Sequence, residues 1–152
     1  MRSVLVTGAA GFVGSHLLEL LEAGPDGPAN IIAWLRPGTE PLLAGSRVIW
    51  HGVELQDREA VAAAIDAFKP DEIYHLAGVP HVGDSWSHLH ETFAGNVLGT
   101  HHLFAALRRA KLTPRVLITS TPFVYAPLDR ALTQPHPARP TTPHPPTHPP
   151  HA

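Results

Sequence analysis

The run Thr7-Gly8-Ala9-Ala10-Gly11-Phe12-Val13-Gly14-Ser15 sets three glycines three residues apart. It follows a short apolar run, Arg2 to Thr7. It opens a stretch, Phe12 to Ala23, where Val13, Leu17, Leu18 and Leu21 recur at helical spacing. Between a strand and a helix such glycines do three different things. Gly8 permits the tight turn, Gly11 lets backbone approach a pyrophosphate, and Gly14 lets helix pack on strand. The helix N-terminus adds free N–H groups and a partial positive charge that suit phosphate oxygens. The chemistry implied is dinucleotide binding by Gly8, Gly11, Phe12, Val13 and Gly14. The alternative is a plain tight turn with no ligand.

A second position bears on which dinucleotide. The next strand is expected to end Trp34-Leu35-Arg36-Pro37. NAD-specific folds carry Asp or Glu there, to hold the ribose 2′-OH. No acid stands at this place, and Arg36 has the shape and charge for a 2′-phosphate. NADP is therefore favoured over NAD, the alternative being a solvated surface arginine.

These residues need a scaffold, and its elements are legible. Strands are expected at Arg2 to Thr7, Ile31 to Leu35, Arg47 to Trp50, Glu72 to Leu76 and Arg115 to Thr119. Helices are expected at Phe12 to Ala23, Arg58 to Phe68 and His88 to Ala110, the last burying Phe93, Val97, Leu103, Phe104 and Leu107. Strands alternating with helices predict an α/β fold of the Rossmann type. It has a parallel sheet of order 3-2-1-4-5, helices on both faces and the ligand crevice at the carboxyl ends of strands 1 and 4.

Composition narrows the class. The chain has 152 residues, 43% of them hydrophobic, and a net charge of −2, which suits one domain with a packed core and draws it to neither nucleic acid nor an anionic membrane. There is no cysteine, so no disulfide framework and no thiolate chemistry, as a cytoplasmic protein allows. Gly8, Gly11 and Gly14 interrupt the apolar N-terminus at regular spacing, so no signal peptide is expected there. No run of about 20 apolar residues could span a membrane. Nine of the 17 prolines and four of the 12 histidines fall after Ala126. The expected organisation is a half-domain over 1–126 and a Pro/His-rich tail over 127–152, extended or disordered.

In this context the Gly-x-x-Gly-x-x-Gly spacing resembles the extended branch of the short-chain dehydrogenase/reductase superfamily, the NAD-dependent epimerase/dehydratase group. Later segments are similar in order. Glu54-Leu55-Gln56-Asp57 resembles its Asp-Leu-x-Asp segment beside the adenine, which implies cofactor contact for Glu54 and Leu55. Tyr74-His75-Leu76-Ala77-Gly78 resembles its strand-4 motif, which implies that Leu76, Ala77 and Gly78 line the cofactor. Asn96-Val97-Leu98-Gly99-Thr100 resembles its Asn-x-x-Gly-Thr helix motif. Thr119-Ser120-Thr121-Pro122-Phe123-Val124-Tyr125-Ala126 resembles its Ser-Ser-Ser/Thr-x-x-Val-Tyr-Gly motif. There Thr119 would touch the cofactor, Ser120 the substrate, and Thr121 would hydrogen-bond the reacting sugar oxygen as the catalytic hydroxyl.

Within that branch, His81-Val82-Gly83-Asp84-Ser85-Trp86 looks closest to GDP-mannose 4,6-dehydratases. This implies a GDP-sugar, with His81 and Ser85 near it, and a homodimer in intact members. Those dehydratases carry a Glu two residues after the catalytic Thr. Here that position is Phe123, whose ring takes no proton, so epimerase or reductase chemistry is expected instead.

The resemblance covers Arg2 to about Pro143. The family's Tyr-x-x-x-Lys pair, in which Tyr is the acid/base of hydride transfer, matches His144 and His148. No Tyr follows Tyr125 and no Lys follows Lys111. The expectation is the cofactor half of an NAD(P)-dependent nucleotide-sugar epimerase, dehydratase or reductase. It is truncated or frameshifted ahead of that pair and catalytically incompetent as it stands. The alternative is a non-catalytic NAD(P)-binding sensor module. His136, His144, His148 and His151 could form a metal tail, but prolines prevent the helix that would align them, and no metal site is expected. His16, His101 and His102 are expected on the surface or a dimer face. Strand 5, without its usual neighbour, is expected to present an apolar edge.

Overall fold

The computed structural model describes residues 2–24, 27–41, 47–79, 87–121, 124–125 and 133. His81, Ser85, Phe123 and, apart from Thr133, the Pro/His-rich stretch with His136, His144, His148 and His151 lie outside the described residues.

The first strand, β1 (Ser3–Thr7), is buried along its whole length. Its residues alternate between two cores. Val4 and Val6 join Leu18 of α1 (Phe12–Ala23), with Ile31 and Ala33 of β2 (Asn30–Leu35). Leu5 faces the other way, into a second core with Ile32 and Trp34. That core is covered by Val61 and Ile65 of α2 (Arg58–Phe68) and by Leu103 and Leu107 of α4 (Gly99–Arg109). Burial on both faces explains why the strand reads as an unbroken apolar run rather than an alternating one.

The sheet is parallel throughout, in the order β3-β2-β1-β4-β5. Its outer strands are β3 (Val48–Gly52) and, beyond β4 (Glu72–His75), β5 (Arg115–Ile118). Order and helix placement match the expected Rossmann arrangement. Leu117, on the α1 face of β5, is 50% exposed.

At the amino rim, Asp71 ties β1 to β4. Its Oδ2 accepts from the Ser3 amide at 2.8 Å and the Ser3 hydroxyl at 3.2 Å. The Ser3 amide, above all, holds the Asp71 carboxyl below its ordinary pKa.

Helix α2 keeps its expected bounds because its ends are chemically marked. Asp57 Oδ1 accepts from the Glu59 and Ala60 amides, both at 3.0 Å, and Lys69 closes the helix in the left-handed region at φ 44°. The Asp57 carboxylate is spent on this cap. Asp57→Ala leaves these amides to water and is expected to cost about 1 kcal/mol, read as a lower urea midpoint. An unchanged midpoint would remove the cap from the account.

The long helix departs from expectation. It runs as α3 (Leu89–Phe93), a π turn over Ala94–Leu98, and α4. The wide turn breaks the 3.6-residue phase, so the inward residues before and within it are Thr92, Ala94 and Asn96. Phe93 is therefore 49% exposed rather than buried, and Val97 is only partly buried. On α4 the core stripe runs through Gly99, Leu103, Ala106 and Leu107, which leaves Phe104 on its rim at 41% exposure.

Candidate cofactor cleft

The carboxyl ends of β1, β2 and β4 open onto one cleft of about 820 Å³, within the range of small-molecule sites. Its walls gather Gly8, Gly11, Phe12, Val13 and Gly14 from the first loop, Arg36 from the end of β2, Glu54 and Leu55 after β3, and Leu76, Ala77 and Gly78 after β4. Eleven of the twelve residues expected to touch cofactor thus meet in one place. The twelfth, Thr119, is not among the lining residues; its amide and hydroxyl both reach the His75 carbonyl, at 3.3 and 3.4 Å. Thr121 and Ser120 do not line the cleft either, and Thr121 is buried.

The three glycines have the separate tasks their spacing implied. Gly8 sits at φ +67°, where a side chain is strained, and a Cβ on it would lie 2.8 Å from the Ala77 amide nitrogen. A Cβ on Gly14 would strike the Gly8 carbonyl oxygen and lie 2.7 Å from the Ala9 Cα. Gly11 is looser, its nearest neighbour being the Gly8 carbonyl oxygen at 3.2 Å. It is also the N-cap of α1, and no side chain caps that helix. On one sheet, α2 spends a carboxylate on its first amides, whereas α1 leaves its own available to an anion. Phe12 and Val13, 80% and 59% exposed, set apolar surface at the mouth.

Residues that sequence reasoning passed over hold the walls. Asn96 in the π turn accepts from the Val79 amide at 2.7 Å through Oδ1. His102, expected on the surface or a dimer face, is partly buried and donates through Nδ1 to the Leu55 carbonyl at 2.9 Å. His16 and His101 are exposed, as expected. His75 is 2% exposed, lies in register with Thr7, and bonds Thr7 on one side and Thr100 on the other. Burial lowers its pKa from the ordinary 6.5 to about 4. Thr7, Trp34, Thr39, Val53, Gln56, Val79, Glu91 and Gly95 also line the cleft.

Comparison with known proteins bears on what such a cleft is for. The family described as "NAD dependent epimerase/dehydratase family" matches residues 4–150. The chain belongs to the NAD dependent epimerase/dehydratase family. A UDP-glucose 4-epimerase of Drosophila melanogaster is 30% identical over 146 residues, 89% of this chain and 42% of that protein. Two solved structures superpose closely. MoeE5 in complex with UDP-glucose and NAD has a TM-score of 0.80 at 32% identity, covering 95% of this chain and 45% of its own. DesIV, a dTDP-glucose 4,6-dehydratase from Streptomyces venezuelae with NAD and TYD bound, has a TM-score of 0.82 at 29% identity, covering 96% and 48%. The chain therefore spans less than half the length of these epimerase/dehydratase relatives. One is a UDP-glucose 4-epimerase, one is solved with UDP-glucose and one is a dTDP-glucose 4,6-dehydratase, which gives the expected GDP-mannose dehydratase subtype no support. Their complexes hold NAD, which gives none to the expected NADP preference.

Proposed function

We propose that this chain binds NAD along the carboxyl rim of its sheet and forms the cofactor half of a nucleotide-sugar epimerase or dehydratase. The observation that carries the reading is the convergence of Gly8, Gly11, Gly14, Leu55 and Ala77 on one cleft beside an uncapped helix N-terminus. No observation favours the sensor module over this lineage.

NAD takes precedence over NADP because the relatives above are solved with NAD. Arg36 still lines the cleft and no acid ends β2, so the choice is open to direct test. Likewise a UDP- or dTDP-sugar replaces the GDP-sugar as the substrate class. Thr121, Ser120, His81 and Ser85 remain the candidate sugar-side residues, with Thr121 bonding the reacting oxygen. Leu89, Phe93, Leu98 and Phe104, each at least 40% exposed along α3, the π turn and α4, suit a homodimer face. No helix among the described residues is long and apolar enough to cross a membrane; a cytoplasmic site is part of the proposal.

Titration calorimetry with NADH and NADPH tests the reading. NADH is expected to bind the parent more tightly, and Arg36→Ala to leave that affinity within about threefold. Tighter NADPH binding that Arg36→Ala abolishes would reverse the choice of cofactor. Binding of neither would sink the dinucleotide reading. The isolated 152-residue chain is expected to turn over no UDP-glucose. It carries no Tyr after Tyr125 and no Lys after Lys111, and a missing acid/base alone is worth roughly 10²–10⁴ in rate.

A further inference from the structure

We propose that His75 is a positioning residue for dinucleotide binding: held as the neutral Nε2–H tautomer between Thr7 and Thr100, it orients the Thr7 hydroxyl that carries the Ala77 amide in the cleft wall. The inference rests on the dinucleotide reading above and adds to it a residue that touches no cofactor.

The tautomer follows from counting hydrogens. Thr100 donates its one hydroxyl hydrogen to the Asn96 carbonyl at 2.7 Å. Its oxygen, 3.0 Å from His75 Nε2, is therefore left to accept, so Nε2 carries the proton. In a neutral ring Nδ1 is then bare and accepts from Thr7 Oγ1 at 2.8 Å. With its hydrogen committed to the ring, Thr7 Oγ1 turns its lone pairs outward and accepts from the Ala77 amide at 3.2 Å. The other tautomer fails at both ends. It would set an Nε2 lone pair against a hydroxyl oxygen whose hydrogen is elsewhere, and leave the Thr7 hydroxyl hydrogen facing an N–H.

The relay thus runs from Ala77 through Thr7, His75 and Thr100 to the backbone of the π turn. Both ends of interest are in the cleft, since Thr7 and Ala77 line it while His75 does not. Thr7 also leads directly into Gly8, whose hydrogen-only Cα packs against the Leu76–Ala77 peptide. Any rotation of the Thr7 hydroxyl frees the Ala77 amide and loosens the seat of the glycine loop. A buried ring locked at both nitrogens prevents that rotation.

Two measurements on the full chain test this. Long-range proton–nitrogen NMR at pH 7, with the His75 signal assigned by its loss in His75→Leu, is expected to show Nε2 protonated and Nδ1 bare. A protonated Nδ1 overturns the inference. NADH titrations then compare the parent with Thr100→Val and Thr100→Ser. Thr100→Val strands the Nε2–H and is expected to weaken NADH about tenfold, and Thr100→Ser to return affinity to within about threefold of the parent. Parent-like affinity in Thr100→Val overturns the positioning role alone. No NADH binding by the parent overturns the dinucleotide reading, and this inference with it. Should Thr100→Val fail to fold, the tautomer of the parent decides.

Discussion

Gly14→Ala is expected to cost the fold about 3 kcal/mol or more, while Gly11→Val is expected to cost the ligand instead. The new Cβ at Gly14 meets the Gly8 carbonyl oxygen and the Ala9 backbone. These atoms belong to the turn itself and cannot rotate aside, so β1 and α1 must part. Overpacking against yielding side chains costs roughly 1–3 kcal/mol, and against backbone it lies at or above the top of that range. Against a total of about 5–15 kcal/mol, that is a large share. Thermal melting should fall by roughly 10 °C. Gly11 has φ −82°, and a Cβ there would meet one close neighbour, the Gly8 carbonyl oxygen at 3.2 Å, so a side chain is expected to need only a small local shift. Its methyl groups enter the space in front of the α1 amides, where the pyrophosphate is expected. Gly11→Val should melt close to the parent yet lose NADH binding by about 100-fold. A Gly14→Ala chain that melts like the parent would refute the packing argument. A Gly11→Val chain that binds like the parent would refute the loop's role.

The second large effect is acid lability from His75. Its folded pKa is lowered to about 4 by burial, against an ordinary 6.5. Above 6.5 the ring is neutral in both folded and unfolded chains and contributes nothing to pH dependence. Between 6.5 and about 4 the unfolded chain takes up a proton that the folded chain refuses. Stability therefore falls on acidification, by up to about 1.4 kcal/mol per pH unit and about 3 kcal/mol across the window. Below about 4 both forms are protonated and this contribution is flat. Asp71 acts in a different window. Its lowered pKa gives stability that is present above its ordinary value of 3.8 and is lost only as pH falls below it. Urea unfolding at pH 7.0 and pH 4.5 is the measurement, with His75→Leu as control. The parent should lose more than 2 kcal/mol between the two and the control markedly less. Equal losses would mean that His75 is not the source.

The glycine loop and α2 were readable in the chain because their determinants are local. Three glycines within seven residues, or Asp57 before and Lys69-Pro70 after an apolar stripe, need no knowledge of what lies across the sheet. Strand order was readable too, since parallel crossovers allow few topologies. The π turn was not. Periodicity assumes one pitch from His88 to Ala110, and nothing in Ala94–Leu98 announces that the pitch widens. The expectation that Phe93 would be buried followed from that assumption. His75 was hidden for another reason. Its partners Thr7 and Thr100 lie 68 and 25 residues away, so only the folded register shows that the ring is pinned. His102 likewise reads as one more surface histidine until the Leu55 carbonyl is placed beside it. The resemblance brought Thr119 to the cofactor. In the structure Thr119 meets the His75 carbonyl and is not among the residues that line the cleft.

The placement of β1 at the centre of the sheet has a consequence for synthesis on the ribosome. This strand precedes both of its neighbours in the chain, since Ser3 pairs with Asn30 and Val4 with Glu72. Its two neighbours appear only after about 30 and then about 70 further residues. At roughly 5–20 residues per second, Val4, Leu5 and Val6 wait several seconds as an unpartnered apolar segment. Long-range parallel pairing is also slow once both strands exist. A strand that ends buried along its whole length is thus left apolar and unpartnered in the nascent chain while its neighbours are made, and a chaperone would find a handhold there.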